Sequence, residues 1–148
     1  MKVSIVTHDL KVEALDGDNW RLLEPLVFVI SCAEHPEPFV VVVPGGYVTD
    51  FESVPKVLVF AYLLIKGRFR RAATGHDYLI DLIQGEVEEK LRTSLLPFRP
   101  TRAWIDEFFL AAMKAEGELR EEKQPVRDWL ARNTAYAGVS VYTLFTGE

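Results

Sequence analysis

The sequence predicts an α+β fold in which a small N-terminal antiparallel sheet packs against about four helices. Runs of β-branched and aromatic residues, broken by turn residues, dominate the β-rich part of the chain, to about residue 51. Apolar residues at helical spacing dominate the α-helical part, over about residues 55–145. The length of 148 residues is that of one domain, so we expect a single domain over residues 1–148.

Composition excludes several classes of protein. The chain is 49% hydrophobic and 26% charged, as in an ordinary globular protein, and its net charge of −5 disfavours broad binding to nucleic acid. The single cysteine, Cys32, excludes an internal disulfide and a zinc site built on several thiolates. No signal peptide is visible and no apolar run has the length of a membrane span, so neither is expected.

Three apolar runs predict the strands, at residues 2–7, 20–31 and 39–43. The proline-containing break at residues 35–38 predicts that the last two runs form an antiparallel pair.

Four segments have helical patterns: residues 55–65, about 68–83, 101–116 and 125–138. Gly85 is the expected stop of the second helix, and Thr101 is the expected N-cap of the third.

A histidine lies in the middle of the apolar face of the second helix, so His76 is predicted to face the core. Asp77 and Asp81 lie four residues apart on the flank of that face. Gly75 weakens a helix by about 1 kcal/mol relative to Ala, so we expect another segment to approach closely beside His76. The pattern fits a core histidine held by hydrogen bonds, and it also fits a general base beside a carboxylate.

The loop at residues 43–55 supplies further candidates. Thr49 begins a capping box and Ser53 is placed to cap the following helix, although Ser53 is also a candidate nucleophile. Capping does not explain Asp50. Two glycines earlier in the loop allow its backbone to approach the second helix closely, which would bring Asp50 towards His76.

Asp106 is a further candidate, at the edge of the apolar stripe of its helix, where an ordinary solvent-exposed residue is the favoured interpretation. No metal or cofactor motif is present, and no cofactor is expected. His76 with Asp50, Asp77, Asp81 or Asp106 is nevertheless a ligand set compatible with a divalent metal such as Mg²⁺, Mn²⁺ or Ca²⁺.

Two motifs in this order resemble the family called domain of unknown function 1353 (DUF1353). Residues 43–55 (VPGGYVTDFESVP) are similar to the family's VPxGFxTDxASVP, and residues 72–80 (AATGHDYLI) are similar to its AAxxHDxLY. The resemblance covers residues 20–113 and includes an Asp-then-Phe pattern at Asp106 and Phe109. The family occurs mainly in tailed bacteriophages and prophages and has no settled biochemical function.

By position, the resemblance implies that the family's polar signature falls on five residues of this chain: Asp50, Ser53, His76, Asp77 and Asp106. The chain departs from the family's pattern at Glu52, Lys56 and Ile80, where Ala, Arg and Tyr are usual. The missing tyrosine removes a hydroxyl suited to orienting a carboxylate.

Two functions are expected. The resemblance implies an accessory or structural protein of a bacteriophage or prophage, a virion component of the neck, tail or baseplate, in which Asp50, Ser53, His76 and Asp77 form a buried polar cluster. Such a protein would lie in the virion or the host cytoplasm, bind other phage structural proteins, and be compatible with a homo-oligomer. The alternative is a small phage-encoded hydrolase, with His76 as general base and Asp77 or Asp50 as the carboxylate that orients it.

Overall fold

The computed structural model describes residues 1–17, 19–50, 69–94, 96–119, 129–137 and 140. The strands are β1 (Lys2–Ile5), β2 (Val12–Ala14), β3 (Trp20–Leu22), β4 (Leu26–Cys32), β5 (His35–Val43) and β6 (Val48–Thr49). The helices are α1 (Arg70–Gln84) and α2 (Arg102–Glu118), with a one-turn 3₁₀ helix, Glu89–Leu91, between them; residues 129–137 are also helical.

The first sheet contains β1, β4 and β5, with β4 in the centre and both pairings antiparallel. Phe28 of β4 pairs with Ile5 on one side and with Val41 on the other. All three side chains are buried, because alternate residues of a strand point to the same face and this face is covered.

The second sheet contains β2, β3 and β6, again antiparallel, with β3 in the centre. In this sheet Trp20 pairs with Thr49, so a residue that follows the glycines of the loop is held against a strand from the N-terminal part of the chain. The buried hydroxyl residue Thr49 is thereby held beside α1.

Each long helix has one end where the sequence predicts it, whereas α2 continues past the predicted end at residue 116 to Glu118. Gly85 closes α1 in the left-handed conformation, at φ 78°, and its N–H bonds to the carbonyl of Asp81. Thr101 caps α2, since its hydroxyl accepts a hydrogen bond from the Trp104 N–H at 3.2 Å.

The core lies between the first sheet and the two helices. Phe28 meets Phe108 of α2 edge to face, with ring centroids 5.2 Å apart. Ala131 and Ala135, in the helical residues 129–137, also belong to this core. The α+β class is confirmed.

The prediction of one N-terminal sheet is wrong, since the described residues form two small antiparallel sheets. The apolar run 20–31 divides into β3 and β4 around Pro25, which has no backbone N–H to donate to a ladder. The expected break at residues 35–38 is also wrong, because β5 begins at His35 and includes both prolines of that segment. Prolines are tolerated there because β5 is an edge strand.

The expectation of about four helices is not matched in detail. The described residues contain α1, α2, the one-turn 3₁₀ helix and the helical residues 129–137, whereas the helix predicted at residues 55–65 lies outside them. Within the described ranges, no helix combines the length and the apolar character needed to cross a membrane.

Candidate functional site

His76 projects from the middle of α1 into the space between α1 and α2. Its side chain is only 3% exposed, and its ring centroid lies 4.9 Å from that of Phe109. The ring atom Nε2 is 3.2 Å from Oδ1 of Asp106, a hydrogen bond between two residues thirty positions apart. The prediction that His76 faces the core is therefore confirmed.

Gly75 allows this close packing. A Cβ atom at Gly75 would lie 2.8 Å from two ring carbons of Phe28 and 3.0 Å from Cζ of Phe108. Real Cβ atoms essentially never approach other atoms so closely. The glycine is thus explained by the approach of the sheet and α2 beside His76, as the sequence predicts.

Asp106 is not the solvent-exposed residue that its place on the helix favours. It is 2% exposed, and its Oδ1 lies 3.6 Å from Nε of Arg102 one turn earlier on α2, as well as near His76. A buried carboxylate is tolerated when cations surround it, and here the cations are a guanidinium and an imidazole. The expectation of exposure is therefore wrong, because the partner that buries Asp106 comes from α1.

Asp77 lies on the other side of the imidazole. Its Oδ1 is 3.7 Å from Nδ1 of His76, close enough for charge attraction but too long for a hydrogen bond. Nδ1 is buried and has no hydrogen-bond partner among the described residues. We call Arg102, Asp106, His76 and Asp77 the imidazole network, in which positive and negative groups alternate when His76 is protonated.

The network favours a charged imidazole. Burial lowers the pKa of His76, but the hydrogen bond to Asp106 and the proximity of Asp77 raise it more, and the pKa lies above its usual value of 6.5. Two carboxylates on opposite sides of the ring therefore compensate for the loss of water.

Two hydroxyl groups, one from β6 and one from the residue before it, bind the carboxylates of α1. Thr49 Oγ1 donates to Asp77 Oδ2 at 2.9 Å, and Tyr47 Oη donates to Asp81 Oδ2 at 2.7 Å. The spacings match, because residues two apart share a strand face and residues four apart share a helix face. We call these two bonds the hydroxyl–carboxylate ladder.

The hydroxyl–carboxylate ladder contains two groups whose pKa values are raised. Burial and the charges of Asp77 and Asp81 raise the pKa of Tyr47, which keeps its hydroxyl protonated as a donor. Burial also raises the pKa of Asp81, and the negative charges of Asp77, Glu86 and Asp50 raise it further. The hydrogen bond from Tyr47 lowers this pKa, but by less. Negative charge is thus concentrated where β6 meets α1.

The predicted site residues do not all converge on one point. His76, Asp77 and Asp106 lie together in the imidazole network, whereas Asp50 lies at the exposed edge of the ladder, where its charge acts on Tyr47 and Asp81. Ser53 lies outside the described residues.

Sequence reasoning missed the ladder donors. The sequence predicts only a capping role for Thr49 and no role for Tyr47. Their spacing of two residues in an extended segment matches the spacing of four between Asp77 and Asp81 on a helix, and this match could have indicated the two hydrogen bonds. Tyr47 also supplies a hydroxyl to a helix carboxylate in a chain that has Ile80 where the family pattern has tyrosine.

A second carboxylate from α2 binds the start of α1. Glu116, 4% exposed, accepts hydrogen bonds from the backbone N–H groups of Arg71 at 3.2 Å and Ala72 at 3.0 Å. Phe69, the N-cap of α1, makes no side-chain capping bond, so Glu116 provides the negative charge that a helix N-terminus favours.

Among the described residues, no three His, Cys, Asp or Glu side chains are arranged to hold a metal ion. His76 itself is an imidazole between two carboxylates, at 3.2 Å from Asp106 and 3.7 Å from Asp77.

Comparison with protein families gives one match. The model of the family described as "Protein of unknown function (DUF1353)" matches residues 20–139, most of the chain and all of the imidazole network. No curated protein and no solved structure matches. A match over this length, with His76, Asp77 and Asp106 all inside it, shows that the chain belongs to the DUF1353 family.

Proposed function

We propose that this protein is an accessory or structural component of a bacteriophage or prophage particle, in the neck, tail or baseplate, and that the imidazole network holds its fold together. The observation that carries the structural role is the burial of His76 between two carboxylates, at 3.2 Å from Asp106 and 3.7 Å from Asp77. The phage assignment is supported by the likeness of its two motifs to a family found mainly in phages and prophages.

The network is suited to fixing the relative positions of three elements. Asp106 belongs to α2, His76 and Asp77 belong to α1, and Thr49 connects Asp77 to β6. Polar groups in a water-poor interior specify one arrangement, because any shift leaves a buried donor or acceptor without its partner. A protein that must present fixed surfaces to neighbours in a particle benefits from such rigidity.

Catalysis is disfavoured by the same burial. A general base must reach the proton that it removes, within about 2.6–3.2 Å or through one water. An imidazole whose side chain is 3% exposed offers little approach to a substrate in this conformation.

Particle composition tests this proposal. Virions from a host that carries the gene are purified by density gradient and analysed by quantitative mass spectrometry, with a phage-encoded lysis enzyme as the non-structural control. We expect the protein to co-purify with the particles at a fixed ratio to the major capsid protein, and the lysis enzyme to be depleted. Its presence in the lysate together with absence from purified particles would overturn the assignment.

The finer expectations are part of the same proposal. Other phage structural proteins are its partners, nucleic acid is not, and the protein lies in the virion or, before assembly, in the host cytoplasm. A homo-oligomer is compatible with this role, and cross-linking of purified particles distinguishes it from assembly with different chains.

One observation favours a second candidate, a small phage-encoded hydrolase. Nδ1 of His76 has no hydrogen-bond partner among the described residues, whereas Nε2 is bound to Asp106. A neutral imidazole oriented by a carboxylate through one nitrogen and unbonded at the other is arranged as a general base, with Asp77 beside it and Asp50 further away at the exposed edge of the ladder.

A substrate screen tests the second candidate. Ester, phosphoester and peptidoglycan substrates are offered to the wild type, His76→Ala and the exposed-histidine control His8→Ala. Hydrolysis that His76→Ala abolishes while its circular dichroism stays native, and that His8→Ala retains, would support the hydrolase. Absence of hydrolysis, or equal activity in all three proteins, would remove it.

A further inference from the structure

A groove of about 460 Å³ lies on the side of α2 that faces the helical residues 129–137. Its volume is within the range of binding pockets in proteins. It shares no residue with the imidazole network or the ladder.

The walls of this groove are two helix faces. Positions 107, 110, 111 and 114 of α2 line one wall, and positions 129, 132, 133 and 136 line the other. Each set has spacings of three, four and seven, so each forms a continuous stripe along its helix. Ala131 and Ala135 of the same helical segment are buried in the core instead, whereas Trp129 of the second stripe is exposed.

The second stripe has the composition of a protein-binding surface. Trp129 is 56% exposed and shares its stripe with Arg132 and Tyr136. Trp, Tyr and Arg are the residues that most often dominate binding energy at interfaces between proteins. A half-exposed tryptophan in a groove that Leu110 also lines provides an apolar anchor for a partner.

Charge indicates what kind of partner fits. Lys114 and Arg132 lie on opposite walls, against the single carboxylate of Glu107, so the groove is locally positive in a chain whose net charge is −5. A segment with acidic residues on both sides of an apolar stripe complements this arrangement. A second copy of the chain would first have to overcome the repulsion between two acidic molecules.

We propose that this groove docks an acidic amphipathic helix of another protein, which lies along α2 and residues 129–137 as a third helix. Helices with an apolar stripe commonly bind in such grooves through residues spaced three, four and seven apart. The inference goes beyond the proposed function, and because the groove and the imidazole network share no residue, either can fail without the other.

The test uses two synthetic helical peptides of about 14 residues, roughly 20 Å long. Both carry leucines at helical spacing; one has glutamates at the remaining positions and the other has lysines. Binding is measured by fluorescence anisotropy of labelled peptides against the wild type, Trp129→Ala, the double variant Lys114→Glu/Arg132→Glu, and Leu23→Ala. Leu23 lies outside the groove and is as exposed as Trp129, at 56%, so it is the matched control.

We expect the glutamate peptide to bind the wild type and Leu23→Ala with similar affinity. We expect Trp129→Ala and Lys114→Glu/Arg132→Glu each to weaken binding by about tenfold or more, as for truncation of a dominant interface residue. Circular dichroism checks that each variant is folded.

Three outcomes would overturn the proposal. The glutamate peptide fails to bind at about 1 mM; the lysine peptide binds equally well; or Trp129→Ala leaves the affinity unchanged. Light scattering tests whether a second copy of this chain occupies the groove. A dimer of the wild type that Trp129→Ala dissociates would assign the groove to that second copy and also overturn the proposal.

Discussion

At the scale of the residue, His76 illustrates how a buried ionisable group is accommodated. The imidazole gives up water, and in exchange it contacts Asp106 at 3.2 Å and Asp77 at 3.7 Å. Removing one partner from such a group leaves the others buried and unpaired, which costs more than the hydrogen bond itself contributes.

His76→Ala is expected to lower the free energy of unfolding by about 2–4 kcal/mol, from a cavity and from the loss of one hydrogen-bond partner of the buried Asp106 carboxylate. Urea unfolding followed by circular dichroism measures this loss. The exposed-histidine variant His8→Ala should lie within about 0.5 kcal/mol of the wild type. A His76→Ala loss as small as that of His8→Ala would contradict the burial.

The raised pKa of His76 predicts how stability depends on pH. Because the folded pKa is above 6.5, the protonated imidazole stabilises the fold fully below that pH. The contribution is lost as the pH rises through the folded pKa. The difference in unfolding free energy between wild type and His76→Gln should therefore shrink over the interval in which the pH rises above about 6.5. A difference that grows over this interval would show that the neutral ring is the favoured form.

Gly75→Ala tests the packing beside His76. Alanine is the better helix former by about 1 kcal/mol, but its Cβ would lie 2.8 Å from the ring of Phe28. We expect a net destabilisation of about 1–3 kcal/mol from overpacking. The same measurement on Gln84→Ala, an exposed position of the same helix, should show little change, and a stabilised Gly75→Ala would refute the close contact.

At the scale of the element, α1 is positioned by groups outside its own sequence. Its N-terminus is capped by Glu116 of α2, and its flank is bound by the hydroxyl groups of Tyr47 and Thr49. Helices in proteins owe most of their stability to such tertiary contacts rather than to intrinsic propensity.

Glu116→Ala should destabilise the protein by about 2 kcal/mol, the upper range for loss of a helix cap, because two backbone N–H groups lose their acceptor in a buried place. Thermal unfolding and hydrogen exchange of the first turn of α1 measure the effect. Glu118→Ala, at an exposed position of the same helix, is the control. If exchange at Arg71 and Ala72 is unchanged in Glu116→Ala, the carboxylate is not the cap.

Sequence periodicity predicted the helices better than the strands. The C-terminus of α1 and the N-terminus of α2 follow from local signals, namely apolar spacing that stops at Gly85 and starts at Thr101. The strands were harder because sheet membership depends on pairing between distant residues: the run 20–31 contributes to two different sheets, and β6 has only two residues.

At the scale of the whole molecule, the sequence predicts only part of the candidate site. The position of His76 on a buried helix face followed from spacing alone. Its pairing with Asp106 did not, because the two residues are thirty positions apart and the flank of α2 is covered only when α1 packs there. The imidazole network therefore forms only in the tertiary structure. The free energy that it contributes stabilises the packing of α1 against α2.

A double-mutant cycle on His76 and Asp106 tests this central claim most directly. Unfolding free energies are measured for the purified wild type, His76→Ala, Asp106→Ala and the double variant. The measurement requires neither virions nor a substrate. A network that joins α1 to α2 predicts a coupling free energy of about 1–3 kcal/mol, so that the second substitution costs much less than the first. Strictly additive losses, with a coupling below about 0.5 kcal/mol, would contradict the claim that this pair holds the two helices together.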